Sequence, residues 1–148
     1  MSIQNIGKSE TNECAWCTGN MTLFQAAERI ADFDVNALAV VGDDGSVLGI
    51  VSDHDIIRAL VKTDGQLKDV LVEVYMSTPV VTCDEDTSLS NAMKLMGKHS
   101  IRHLVIIREG LFVRVLTIKD LLEKMHSNDE IEVNVLRELA LGKLAQAM

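Results

Sequence analysis

The sequence predicts an α/β (α+β) fold made of two tandem copies of a β-α-β-β-α unit, followed by a C-terminal helix. Two observations lead to this prediction. Short apolar segments rich in Val, Ile and Leu alternate with longer segments whose apolar residues recur at helical spacing. The same order of segments then appears again, at a spacing of 66 residues that becomes 65 after a shorter second turn. Because one copy is too small to bury a good core alone, the two should pack as a pseudo-symmetric pair.

The first copy is predicted to span residues 13–65, after a polar segment at residues 1–12 that we expect to be a flexible N-terminal arm. Strands are expected where β-branched residues cluster, a hairpin turn at Asp-Asp-Gly, and helices where a hydroxyl residue precedes an apolar periodic segment. The predicted elements are a strand within Glu13–Cys17, a helix from a cap at Asn20 or Thr22 to about Asp32, strands at Ala37–Val41 and Val47–Val51, and a helix from Ser52 that ends before Gly65.

The second copy is predicted to span residues 80–126 and to repeat this order after a connector at residues 66–79. Residues 127–148 form the predicted C-terminal amphipathic helix. The predicted elements of the second copy are a strand at Val80–Cys83, a helix capped by Thr87 or Ser88, strands at Leu104–Ile107 and Leu111–Leu116, and a helix opened by Thr117.

Composition and charge restrict the possible functions. The 148 residues are 47% hydrophobic and 24% charged, which is typical of a globular protein. A net charge of -8 argues against a general nucleic-acid surface, and no apolar segment approaches the length of a membrane span. The N-terminus lacks a secretory signal pattern, and three cysteines fit a reducing compartment better than a disulfide framework. We therefore expect a cytoplasmic protein that binds neither nucleic acid nor membrane.

A Ser/Thr-x-x-Asp motif stands at the end of a strand in each copy, as Ser52 with Asp55 and as Thr117 with Asp120. The hydroxyl can accept from a backbone N–H of the first helical turn, and the acid can reach back to the cap. The helix N-terminus also attracts anions such as phosphate. Each motif is therefore either a capping device or one edge of a binding site.

The repeated order of elements and the Gly49-Ile50-Val51-Ser52-x-x-Asp55 stretch resemble the cystathionine β-synthase (CBS) domain. Two copies over residues 13–126 resemble the CBS pair, or Bateman module, and especially small bacterial proteins that consist of little more than one such pair. The resemblance implies a non-enzymatic regulatory module that binds an adenosine-containing ligand. The expected ligands are AMP, ADP or ATP, with NAD or S-adenosylmethionine as alternatives, and AMP or ATP is favoured.

The resemblance also implies roles for particular residues. It assigns the ribose hydroxyls to Asp55 and Asp120, with the hydroxyls of Ser52 and Thr117 near the ribose or phosphate. Apolar walls around the adenine are implied at two positions and phosphate contacts at four, namely Val35 and Ile101 for the walls and Arg102, His103, His54 and Lys119 for phosphate. No catalytic residue, metal site or further cofactor is expected.

The second copy departs from the family pattern because Arg114 stands where the first copy has Gly49. Glycine allows a ligand to approach the backbone closely, whereas arginine could fill that space or bind phosphate itself. We therefore expect the two sites to differ in competence, although the sequence does not indicate which is the stronger.

Other functions compete with the sensor. A structural or protein-interaction module with a vestigial pocket is the alternative, and an unidentified protein target fits either function. Cys14 and Cys17 could form a redox pair or half a metal site, but a strand would direct them to opposite faces. The small repeats and the family resemblance also favour a symmetric homodimer formed through helices, with the C-terminal helix contributing.

Overall fold

The computed structural model describes residues 2–126 and 136–142 and confirms the predicted α/β architecture. Each copy contains one three-stranded sheet with helices packed against it. The first copy comprises β1 (Trp16–Thr18), α2 (Leu23–Phe33), β2 (Ala37–Val41), β3 (Val47–Ser52) and α3 (Asp53–Lys62), preceded by the short helix α1 (Glu10–Glu13). The second copy comprises β4 (Thr82–Asp84), α5 (Leu89–His99), β5 (His103–Arg108), β6 (Leu111–Thr117) and α6 (Ile118–Met125). A 3₁₀ turn (Leu67–Asp69) and α4 (Val72–Tyr75) lie between them.

Both sheets have the same topology. The first strand of each pairs in parallel with the second, and the second pairs antiparallel with the third. The parallel pairs need a crossover connection, which α2 and α5 supply. The two hairpin tips meet where the backbone N–H of Phe112 donates to the Gly45 carbonyl at 2.9 Å.

Hydroxyl side chains begin the helices as the sequence predicts. Thr22, Ser52, Ser88 and Thr117 each accept a hydrogen bond from the backbone N–H three residues later. At three of these helices the residue at that third position returns a bond to the cap, which completes a capping box; Ser88 lacks the reciprocal bond. Local sequence therefore defines where each of these four helices starts.

The segment before each copy packs against the other copy. Leu67 and Val72, from the connector, belong to the hydrophobic core of the first copy. Ile3 and Ile6 belong to the core of the second copy, together with Leu104 and Leu116. The two copies are thereby joined by exchanged segments as well as by their sheets.

The predicted flexible arm at residues 1–12 is therefore wrong for the described residues from Ser2 onward. Ile3 is fully buried and Ile6 is 3% exposed. The backbone N–H of Ile3 donates to the Thr87 carbonyl at 2.9 Å. Two isoleucines in an otherwise polar segment are enough to anchor it, because burying each apolar side chain stabilises the fold by roughly 1.5–3 kcal/mol.

The predicted C-terminal helix falls mostly outside the described residues. Residues 136–142 are helical, and Leu139 packs against the core of the second copy. Within residues 2–126 and 136–142, no helix is both long enough and apolar enough to cross a membrane.

Candidate functional site

A cleft of about 460 Å³ opens where the two copies meet, which lies within the usual range for small-molecule sites. One wall comes from the N-terminal segment and from the bend between α2 and β2. The other wall comes from the start of β5 and the start of α6. The lining residues are Thr11, Asn12, Asp34, Val35, Asn36, Arg102, His103, Thr117, Ile118, Lys119, Asp120 and Glu123.

Backbone geometry brings these residues together. Asp34 adopts a left-handed conformation with φ of 53°, which ends α2 and turns the chain toward β2. His103 at the start of β5 pairs in register with Thr117 at the end of β6. The backbone N–H of Ile118 then donates to the Arg102 carbonyl at 2.9 Å, so the start of α6 lies beside the start of β5.

The cleft unites six of the ten residues that the sequence singled out. They are Val35, Arg102, His103, Thr117, Lys119 and Asp120. Arg102 and Lys119 are exposed, whereas the other four are partly buried. The cleft therefore combines a carboxylate, a hydroxyl, three basic side chains and an apolar residue from the other copy.

Asp120 has one carboxylate oxygen engaged and one available. Its Oδ2 accepts from the Thr117 backbone N–H at 2.8 Å and from Asn12 Nδ2 at 2.8 Å. Its backbone N–H donates to Thr117 Oγ1 at 3.1 Å. Its Oδ1 accepts no hydrogen bond from any residue in the described part of the chain. The capping and binding interpretations are thus compatible here, because the cap uses only one of the two oxygens.

The electrostatics of the cleft suit an anion at one end. Arg102 and Lys119 carry positive charge beside the N-terminus of α6, where the helix dipole adds to the positive potential. Burial lowers the pKa of His103, and the nearby Asp53 and Asp120 carboxylates oppose that effect. A bound anion would favour the protonated imidazole.

Asp55 is the counterpart of Asp120, but both of its carboxylate oxygens already accept hydrogen bonds from neighbouring residues. Its Oδ2 accepts from the Ser52 backbone N–H at 2.8 Å and from Ser52 Oγ at 3.0 Å. Its Oδ1 accepts from Ser77 Oγ at 3.3 Å and forms a salt bridge with Arg58 Nη2. Asp55 is only 4% exposed, so both of its oxygens are committed inside the protein.

The remaining predicted residues lie apart from the cleft. Ser52 caps α3 beside Asp55, and His54 is exposed in the first turn of the same helix. Ile101 packs into the core of the second copy and lines a small cavity of about 60 Å³ beneath residues 136–142. The sequence placed Ile101 and Val35 as equivalent walls, but only Val35 reaches the described cleft.

Arg114 fills space and does not line the cleft. Its side chain is fully buried and donates to the backbone carbonyls of Ile3, Gln4 and Ile6 at 2.8, 3.0 and 3.2 Å. Its counterpart Gly49 has no room for a side chain, because an added Cβ would lie 2.7 Å from Met76 Sδ. The departure from the family pattern therefore anchors the N-terminal segment.

Sequence reasoning missed the contribution of Thr11 and Asn12, because residues 1–12 were expected to be mobile. A signal was present in the chain. Asn12 and Ser77 are separated by the same 65 residues as Asp55 and Asp120, and each donates to the acid of the opposite copy. The repeat thus extends upstream of both predicted copies.

The cysteines do not form a redox site in the structure. Cys14, Cys17 and Cys83 are free thiols. Cys17 is fully buried, and burial raises its pKa to about 12, which removes the thiolate needed for exchange chemistry. Among the described residues, no group of three or more His, Cys, Asp or Glu side chains could hold a metal ion.

Comparison with known proteins identifies the family. The family model for the CBS domain matches residues 10–62 and again residues 67–127. The chain belongs to the CBS domain family. The start of each match agrees with the structure, because the segments at residues 10–12 and 67–79 pack as part of the paired CBS domains.

Several CBS proteins are similar over most of the chain. The mitochondrial CBS domain-containing protein CBSX3 of Arabidopsis thaliana is 28% identical over 95% of this chain and 70% of its own length. YhcV of Bacillus subtilis, also a CBS domain-containing protein, is 30% identical over 86% of this chain and 89% of its own. A relative from Acidianus ambivalens is 32% identical over 69% of this chain, and the match spans only 61% of its length.

Solved structures share the fold. The crystal structure of CBSX2 in complex with AMP matches with a TM-score of 0.69 and 20% identity, covering 85% of this chain and 96% of that one. At this identity the likeness concerns the fold, and AMP is a ligand of that protein.

Proposed function

We propose that this CBS pair is a non-enzymatic sensor that binds one adenosine-containing ligand, AMP or ATP in the first instance, in the cleft at Asp120. The observation that carries the proposal is the Oδ1 of Asp120, which accepts no hydrogen bond from the described residues, on a side chain that lines a cleft together with Arg102, His103 and Lys119. A cap that served stability alone would need only the oxygen that is already engaged.

The ribose is the part of the ligand that suits Asp120. A carboxylate accepts strongly from hydroxyl groups, and Oδ1, which accepts from none of the described residues, could receive one or both ribose hydroxyls. Thr117, a partly buried residue, lies beside it at the cap of α6. The ribose would also separate the anionic phosphate from the anionic side chain, which limits their repulsion.

The phosphate suits the basic end of the cleft. Arg102 and Lys119 offer donors of matching charge, the dipole of α6 favours an anion at its N-terminus, and a protonated His103 would add another donor. The adenine suits the apolar side chains of Val35 and Ile118, which come from opposite copies. Ligand binding would thereby bridge the two copies, which is a physical route for passing a signal to a protein target.

Asp55 is proposed to be a structural acid. Arg58 and Ser77 already supply the donors that a ligand would supply, so a ligand at this carboxylate would first have to displace them. The expected stoichiometry is one ligand per chain. A homodimer in the cytoplasm remains our expectation for the working form.

Calorimetric titration with AMP, ATP, NAD and S-adenosylmethionine tests the proposal. We expect saturable binding of at least one of them, with one site per chain. The absence of binding by all four would contradict the sensor function and favour the alternative, a structural or protein-interaction module. Binding of two ligands per chain would contradict the assignment of Asp55.

A further inference from the structure

The N-terminal segment supplies the only side chain, among those described, that donates to Asp120 from outside its own helix cap. Asn12 is 9% exposed and lines the cleft, and its Nδ2 lies 2.8 Å from Asp120 Oδ2. Gly7 packs directly against this pair, because a Cβ there would lie 2.9 Å from Asn12 Nδ2 and 3.1 Å from Asp120 Oδ2. The amide is therefore held in a closely fitted position.

We infer that Asn12 is a positioning residue for ligand binding, which engages Oδ2 of Asp120 so that Oδ1 is presented to the ribose. This inference rests on the proposed function. The Thr117 backbone N–H and the Asn12 amide approach the same oxygen, so both donors select one orientation of the carboxylate. Without the amide, the carboxylate can rotate and its free oxygen is no longer aimed at one place.

The opposite copy shows what the same position does where no ligand is expected. Ser77 is the counterpart of Asn12, but it donates to Oδ1 of Asp55, the oxygen that the helix cap leaves free. The two donors thus have opposite consequences for their acids. Asn12 binds Oδ2 of Asp120 and leaves Oδ1 open, whereas Ser77 and Arg58 both bind Oδ1 of Asp55.

Arg114 extends this positioning to the whole N-terminal segment. Its three hydrogen bonds to the carbonyls of Ile3, Gln4 and Ile6 fix the chain that leads to Asn12. The arginine therefore acts on the cleft at a distance, without lining it.

The test uses the full chain with AMP and with 2′,3′-dideoxy-AMP, which lacks the ribose hydroxyls. Asn12→Ala should weaken the binding of AMP about three- to tenfold, as expected when the one hydrogen bond that orients the Asp120 carboxylate is lost. It should leave the affinity for dideoxy-AMP unchanged. Asn12→Asp should weaken AMP further, because it places a second carboxylate against Asp120. Ser77→Ala is the matched control and should change neither affinity.

The outcomes separate the inference from the function on which it rests. If AMP binds the unmodified protein and Asp120→Ala weakens it, but Asn12→Ala changes AMP and dideoxy-AMP equally or not at all, the positioning role is overturned and the proposed function survives. If none of AMP, ATP, NAD and S-adenosylmethionine binds the unmodified protein, or if the ligand that binds does so without regard to Asp120, the proposed function fails first. Thermal unfolding of each variant shows whether a loss of affinity reflects a loss of folded protein.

Discussion

Arg58 forms a salt bridge with Asp55 in the first CBS domain, and no cation among the described residues forms one with Asp120 in the second. The two acids occupy equivalent positions in the repeat and both complete a capping box. Their difference arises from the residues around them, and in the function we propose it decides which of them accepts the ligand. The following predictions rest on that difference and on the contacts of the N-terminal segment.

Substitution of the two acids should have opposite effects. Asp120→Ala removes the proposed ribose acceptor and should weaken AMP about ten- to a hundredfold, since a hydrogen bond to a charged group contributes roughly 1.5–3 kcal/mol. Asp55→Ala should leave AMP affinity little changed. It should lower the free energy of unfolding by about 2 kcal/mol, because it removes the capping box of α3 and the acceptor of Ser77, while the half-exposed Arg58 can turn to solvent. Calorimetry and urea denaturation measure the two quantities, and the reverse assignment of effects would contradict the model of a single site.

Ligand affinity should depend on pH through His103. Burial holds the pKa of His103 below its usual value, so the unliganded imidazole is mostly neutral near pH 7. A bound phosphate should raise that pKa, so binding takes up a proton and affinity increases as the pH falls from about 7 toward 6. His103→Asn should remove this proton uptake, which calorimetry in buffers of different ionisation enthalpy detects. If proton uptake persists in His103→Asn, the proton is taken up by the phosphate of the ligand and not by His103.

The stability of the unliganded protein should change with pH in the opposite direction. Because the folded-state pKa of His103 lies below the unfolded value of about 6.5, its contribution is present above that pH. The contribution is lost as the pH falls through the folded pKa, since the unfolded chain then binds the proton more readily. The unfolding free energy of the wild type relative to His103→Asn should fall between about pH 7 and 5. A flat difference would contradict a buried, neutral His103.

Arg114 should hold the N-terminal segment in place. Arg114→Gly, which introduces the residue of the first copy, removes the side-chain donor of the carbonyls of Ile3, Gln4 and Ile6, and among the described residues only the Ile3 carbonyl keeps a backbone donor, the N–H of Ile6. One buried unsatisfied polar group costs roughly 1–3 kcal/mol, and the unfolding free energy should fall by at least that amount. Hydrogen exchange at the N–H groups of Ile3 and Ile6 should accelerate. Arg108→Gly is the control, because it removes the salt bridge with Glu85 and none of the hydrogen bonds to residues 3–6, so protection of Ile3 and Ile6 should persist. Unchanged protection in Arg114→Gly would refute the anchoring role.

The helices of the first CBS domain should mediate a symmetric homodimer. Ile57, Leu60 and Val61 on α3 are 57, 45 and 72% exposed, which is unusual for three apolar residues on one short helix. Light scattering at micromolar concentration should give the mass of a dimer, and Val61→Glu should yield the monomer. Leu48→Glu, at an exposed position on β3, is the control and should remain dimeric. A monomeric wild type would contradict the prediction.

The order of elements was predictable from the sequence because it depends on neighbours along the chain. The strand at Ala37–Val41 was predicted with its correct bounds, and Thr22 was one of the two predicted caps for α2. Apolar periodicity, turn residues and hydroxyl caps each act over a few residues, so a local pattern is sufficient to identify them. The internal repeat additionally predicted that the two copies pack against each other.

The N-terminal segment and the difference between the two acids depended on tertiary contacts. Asn12 meets Asp120 across 108 residues, and Arg114 meets Ile3 across 111. No local pattern reveals such contacts, since they arise only when the segment before each copy packs against the other copy. The sequence therefore determined two equivalent Ser/Thr-x-x-Asp caps, and tertiary structure decided that Asp55 is enclosed by Arg58 and Ser77 while Asp120 faces an open cleft. The physical reason is that the availability of a carboxylate oxygen depends on which donors surround it in space. Arg58 lies one turn along α3 from Asp55, but Ser77 and Asn12 reach their acids from other segments of the chain.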